Sequence, residues 1–276
     1  MLDAHQHFWK VDRGDYGWMT PDLAPLYRDF GPSDLAPLLE RAAITHTVLI
    51  QAAETEAETD FLLEIARRTD FVAGVVGWVD MLADDFPVRL AHYAAQPKWV
   101  GIRPMLQEHD PSLINDPRFR AALAEIARRG IPFDILTFPR HLSAMIHAVQ
   151  ATPGLHVILD HISKPDMTRP MDQEWCNEIE ALAAVPGAHC KISGLVTEAG
   201  TDWSVDRIRP FVEFVTRAFG PDRLVFGSDW PVCTLAASYA QVLELARSIL
   251  ERLYDPEQMQ AIMETNGQRF YRLDSR

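Results

Sequence analysis

Eight short apolar runs alternate with amphipathic stretches along 276 residues, and that alternation predicts an α/β chain folded as one (β/α)8, or TIM, barrel domain over residues 1–276. Two further observations favour a closed ring over an open doubly wound sheet. Spread over 276 residues, eight units have roughly the ~30 residues that one βα unit needs. No Gly-rich phosphate-binding turn follows the first run, as the open dinucleotide-binding sheet would require.

The first run is Leu2 to His7, followed by runs at 45–53, 71–80, 99–105, 131–137, 155–163, 188–195 and 223–231. Each is rich in Val, Ile, Leu and Phe, the composition of a parallel strand covered on both faces. Helical spacing fills the gaps at 35–43, 58–68, 116–130 and 204–220, and near 236–253 and 256–271. The stretch 116–130 starts acidic and ends in two arginines and Gly130, as a helix with charges matched to its dipole should. Residues Lys10 to Pro32 are long for a βα connection and rich in Asp, Gly, Pro and aromatics, so they are expected to build or cover a site.

Composition narrows the function. With 39 acidic against 26 basic residues the net charge is −13, which argues against nucleic acid and anionic membranes as partners. No apolar run approaches the ~20 residues of a membrane span, and the N-terminal MLDAHQHFW does not read as a signal peptide. Cys176, Cys190 and Cys233 form no CxxC and no disulfide framework, so a reducing cytoplasm is the simplest home. A homo-oligomer is left open.

Polar residues in buried strands need a reason, and here they gather at the carboxyl ends of the runs, where barrel enzymes keep their chemistry. Run one ends His5-Gln6-His7; a strand repeats every two residues, so both imidazoles share a face and can grip one metal ion or one substrate oxygen, or be hydrogen-bonded core histidines. Run six ends Asp160-His161. His161 is read on the face of Val157 and Leu159, and Asp160 on the other, tethering backbone or a helix. Run eight ends Ser228-Asp229-Trp230-Pro231, which places a carboxylate to take a proton from water, or to cap the next helix. Arg103 ends run four, where a guanidinium suits a carboxylate, a carbonyl oxygen or a hydroxyl, or a salt bridge to a neighbouring acid. Gln51, Trp78 and Lys191, with Glu54, Asp80 and Ser193, read as wall or scaffold of a hydroxyl-rich ligand site. Trp9, Tyr16, Trp18 and Trp230 supply its aromatic faces or pack the loop. Cys233 has no activating base, and no phosphate cradle follows runs seven or eight.

The segments DAHQHFW at 3–9, DYGWM at 15–19, LDHISKP at 159–165 and FGSDWP at 226–231, in that order, resemble the sugar-lactonase branch of the amidohydrolase superfamily. The resemblance runs over the whole chain and implies the barrel and hydrolysis of an aldonolactone such as L-fuconolactone. For such a reaction Asp229, by its position at the end of run eight, is the expected general base, with His161 and Arg103 as catalytic partners and His5, His7, Gln51, Trp78, Lys191, Trp9 and Trp230 expected around the substrate. The superfamily's fuller metal set has further ligands after strands four and five; here Arg103 and Asp134 or Thr137 stand there. At most one divalent ion, Zn2+, is therefore expected on His5, His7 and Asp229, with His161 as a further donor, and branch members working with little or no metal make it dispensable. A decarboxylase of an aromatic acid, with Arg103 on the carboxylate, and a carbohydrate-binding barrel without turnover are the alternatives.

Overall fold

The computed structural model of the chain describes residues 1–273. Its eight strands are β1 (Leu2–Gln6), β2 (His46–Ile50), β3 (Val72–Gly77), β4 (Trp99–Ile102), β5 (Pro132–Ile135), β6 (His156–Leu159), β7 (His189–Ile192) and β8 (Leu224–Phe226). They pair in parallel in sequence order. The ring closes just past the strands: the Asp229 amide donates to His5 O at 2.8 Å and the His7 amide to Trp230 O at 2.7 Å. The open-sheet alternative is thereby excluded.

Helices α1 (Pro32–Ala42), α2 (Glu56–Arg67), α3 (Phe86–Ala94), α4 (Pro117–Arg129), α5 (Pro139–Gln150) and α6 (Gln173–Ala183) wrap the first half. The one-turn α7 (Leu195–Glu198), α8 (Val205–Phe219), α9 (Tyr239–Leu250), α10 (Pro256–Gln260) and α11 (Asn266–Tyr271) complete it. Their starts follow their caps. Thr55, Asp116, Ser204 and Ser238 each accept a backbone N–H from the first turn of α2, α4, α8 and α9. The Ser238 cap also sets the last of these at Tyr239, later than the expected 236, because Val232–Leu235 form a separate 3-10 turn.

Two apolar clusters result. The larger lies between strands and helices. The smaller joins Leu2, Ala4, Val48, Ile50, Val76, Val100, Ile158 and Val225 inside the ring, with Phe270 and Tyr271 of α11 plugging its lower end. This inner set fixes each strand's phase. In β6 it is Ile158 that points inward, while Val157 and Leu159 face the helices. The expected phase of β6 is thus reversed, and Asp160, two residues after Ile158, continues inward instead of tethering a helix. In β1, Leu2 and Ala4 are inward, and the register against β2 then shifts between Asp3 and Gln6. That irregularity turns His5, rather than Gln6, to the inside and brings His7 with it.

Candidate active site

Above the apolar layer lies a buried charged layer. Lys191 Nζ sits 2.5 Å from Asp134 Oδ2 and 2.9 Å from Asp160 Oδ1, and none of the three is exposed. Arg103 donates to the other Asp160 oxygen at 3.1 Å and to Gln51 O. The Tyr271 hydroxyl donates to Asp134 from below at 2.7 Å. Burial would raise Asp160, but Lys191, His5 and Arg103 hold it well below the usual carboxylate range. Asp134, with only part of that help, is pushed up to about 6 by burial.

His5 stands on this layer. Its Nδ1 faces Lys191 at 3.2 Å and Asp160 at 3.5 Å; its Nε2 faces Arg103 at 3.3 Å and Asp229 at 3.7 Å. Each nitrogen thus meets one cation and one carboxylate, and burial holds the ring neutral. His7 donates through Nδ1 to Ile50 O at 2.8 Å, leaving the lone pair of Nε2 toward Asp229 Oδ1 at 3.3 Å. His161 Nδ1 meets Ser193 Oγ at 2.9 Å and its Nε2 lies 3.8 Å from the same Asp229 oxygen. Burial lowers the His161 imidazole to about 4 and also lowers His7. Burial would push Asp229 up, but His161, His7 and His5 together hold it well below its ordinary value. The cluster is therefore one ionised carboxylate among three neutral imidazoles.

The backbone that presents these groups is unusual. His161, Ile162, Ser163 and Lys164 all have positive φ, between 49° and 62°, in a short left-handed turn. Because L-residues there cost about 1–2 kcal/mol each, the turn persists only where the surroundings impose it. It swings His161 inward directly after inward Asp160, which a straight strand could not do. Asp229 is also left-handed, at φ 57°. Two glycines make room: a Cβ on Gly227 would lie 2.5 Å from the His5 Cβ, and one on Gly194 2.5 Å from His161 Nδ1. Gly194 itself has φ 63°. Replacing Gly194 by Ala should displace the His161 ring and lower kcat/KM for any reaction carried by this cluster by roughly 10²-fold, as ångström-scale misplacement does. Steady-state kinetics on a variant with native circular dichroism would check it.

A cavity of about 210 Å³ opens over the cluster, lined by His7, Arg103, His161 and Asp229 at its base. Trp18, Met105, Leu136 and Val232 contribute apolar wall, and Gln107, Glu108 and Lys164 polar rim. Of the expected substrate-side residues, His7 reaches this cavity directly and His5 lies behind Arg103 and Asp229. Gln51 is spent on Arg103, its side chain donating to Arg103 O at 2.6 Å. Lys191 sits below, among the acids. Trp9 is buried with its indole N–H on Leu26 O and Arg28 O, and Trp230 packs on Phe8 and Phe30, so both build the loop core. Trp78 is held by its backbone to Thr59 Oγ1 and is not among the lining residues. Trp18 is the aromatic that the long loop delivers. Its signal in the sequence was no stronger than that of Trp9.

The donor set suits a divalent ion. One nitrogen each of His5 and His161 and one oxygen of Asp229 lie within 4.8 Å of one another, all buried. The imidazoles are neutral and the carboxylate ionised, the forms that ligate. His7 is outside this group of three, yet its unshared Nε2 lone pair faces a carboxylate oxygen, a contact that a bridging water or a cation would make favourable.

Comparison with known proteins gives matches over the whole chain. The sequence profile of the amidohydrolase family matches residues 2–273. An L-fucono-1,5-lactonase of Burkholderia ambifaria is 41% identical over 277 residues, covering 99% of this chain and 96% of its own. A second L-fucono-1,5-lactonase, from Burkholderia multivorans, is 35% identical over 99% of this chain and 96% of its own. A crystal structure of an amidohydrolase from Burkholderia multivorans with bound zinc superposes with a TM-score of 0.93 at 33% identity, over 98% of each chain.

Proposed function

Since the chain belongs to the amidohydrolase family, we propose that it hydrolyses the ring ester of a sugar lactone, with L-fucono-1,5-lactone as the substrate that its 41% and 35% identical relatives favour. The observation that carries the mechanism is the ionised Asp229 at the base of the cavity, with a charged guanidinium beside it.

Ester hydrolysis needs a deprotonated water, a polarised carbonyl and a proton for the departing alkoxide. Asp229 accepts the water proton as the oxygen attacks the lactone carbonyl. His7 and His161, as lone-pair acceptors around the same spot, orient that water. Negative charge then builds on the carbonyl oxygen. Arg103, at the base of the cavity, meets it with its positive charge, and Asp160, His5 and Gln51 hold the guanidinium in place through Nη1 and Nη2. A donor aimed at such an oxyanion is worth about 3–4 kcal/mol. When the C–O ring bond breaks, the proton held by Asp229 passes to the ring oxygen. A neutral His161, lowered to about 4, carries no spare proton for that step. His5, His161 and Asp229 would hold a divalent ion, which when bound acidifies a water and polarises a carbonyl.

The product acid ionises and releases one proton per turnover. A pH-indicator assay over a panel of aldonolactones, with and without chelator, should give fastest acidification with L-fucono-1,5-lactone. Turnover of an aromatic acid with release of CO2, and none of any lactone, would replace this reading with decarboxylation.

A further inference from the structure

We propose that Glu58, which lies away from the reacting atoms, is a positioning residue: through the peptide of Ala52 it fixes Trp18 as the aromatic wall of the cavity and so sets how tightly substrate binds. The proposal rests on the lactone reading only for its kinetic arm.

Glu58 is fully buried in the first turn of α2. There a glutamate three residues after a capping threonine ordinarily turns back to the cap's own N–H. Thr55 does its half, accepting the Glu58 amide at 3.1 Å. The Glu58 carboxylate goes elsewhere. It accepts the Ala52 amide on both oxygens at 3.0 Å and the Ala53 amide at 2.7 Å. Helix capping therefore does not account for it.

A buried carboxylate is costly. Burial pushes Glu58 up to about 8 even though the Ala53 and Ala52 amides pull it down; Asp15 raises it further and Arg103 opposes. What it holds is the segment leaving β2 at the cavity edge. Ala52 lines the cavity, and its carbonyl accepts the Trp18 indole N–H at 2.7 Å. One residue earlier, Gln51 locks both ways onto Arg103. The far side of the long loop is tied to the same segment, since Thr55 Oγ1 donates to Asp15 at 2.7 Å and Arg13 meets Asp15 at 2.6 Å. Trp18 is half-buried and is the cavity's only lining residue from residues 10–31. One peptide thus links the buried Glu58 carboxyl group on one side to the aromatic wall on the other.

The test uses the full-length protein with Glu58→Ala, Glu58→Gln, Trp18→Phe and the double variants. Glu58→Ala should raise KM for the lactone about tenfold with kcat within about threefold of wild type. Glu58→Gln, whose amide oxygen can still take the Ala53 N–H, should raise KM about threefold. In the Trp18→Phe background, which has no indole N–H to lose, both effects should shrink below about twofold, the non-additivity of coupled sites. A loss confined to kcat, or full additivity with Trp18→Phe, would overturn the proposal. If Glu58→Ala does not fold, Glu58→Gln carries the same cycle. Trp18 emission, read without substrate as the difference between proteins with and without Trp18, should shift red in Glu58→Ala and Glu58→Gln. An unchanged emission overturns the proposal even if no lactone is ever turned over, so its failure is separable from that of the lactone reading.

Discussion

Asp229→Asn should reduce kcat by roughly 10²–10⁴-fold while KM changes by no more than a few-fold, because the amide cannot take the water proton but keeps the side chain's shape. The variant should also fold well. In the native protein the lone pair of His7 Nε2 faces a carboxylate oxygen at 3.3 Å, and those of His5 and His161 lie at 3.7 and 3.8 Å. An asparagine NH2 placed there would donate to an imidazole nitrogen, so the thermal midpoint should stay level or rise. Together, lost turnover and retained melting separate chemistry from structure. Near-normal turnover in the Asn variant would remove Asp229 from the base role. Wild-type kcat should hold level from pH 8 down to about 5, since Asp229 is held well below its ordinary value and His161 stays neutral to about 4.

Lys191→Met should be the most destabilising single change in the barrel interior, on the order of 3–5 kcal/mol, because it strips the cation from two buried carboxylates. For a chain of this length that lowers the melting temperature by roughly 10 °C. The sign of its pH dependence follows from which state binds protons more tightly. Without Lys191, Asp134 and Asp160 have raised folded pKa values, and the folded form then gains protons that the unfolded chain, near the ordinary carboxylate value, has already released. Stability is lost as pH rises, so the deficit against wild type should grow from pH 5 to pH 8. Melting curves at the two pH values check this, and a deficit that shrinks with pH would refute it. Arg103 remains paired with Asp160 in this variant, so residual activity is expected where the protein folds.

The barrel was legible because eight buried parallel strands leave a strong mark: each is an apolar run ending in polar residues. The same property hid the strand phases. His156-Val157-Ile158-Leu159 is apolar on both faces from Val157 on, so hydrophobicity could not say that Ile158 rather than Val157 points into the ring. Strand alternation from Val157 and Leu159 is not what turns His161 inward. The histidine arrives there by a left-handed turn of residues that have no intrinsic taste for it. Gly194 and Gly227, which make room for His161 and His5, carried a readable signal as glycines beside strand ends. The triangle of Lys191, Asp134 and Asp160 was half visible, since a lysine inside an apolar run demands a buried partner; which acids answer it depends on strand order in space. The cavity walls were least legible. Met105, Leu136 and Val232 look like any other apolar residue in sequence, and only the closure of the ring shows that they face an opening.

The plug formed by Phe270 and Tyr271, and the closure of β1 on the segment after β8, also constrain how the chain comes off the ribosome. Synthesis is vectorial, and at ~5–20 residues per second β1 waits roughly 10–50 s for its partner at Trp230. Until that partner emerges the nascent sheet has two unpaired edges, and until Tyr271 follows it Asp134 lacks its hydrogen bond from below. Translation arrested upstream of Trp230 therefore releases a species whose edges invite pairing with other chains, and rapid capture by a chaperone or protease is the fate its shape selects.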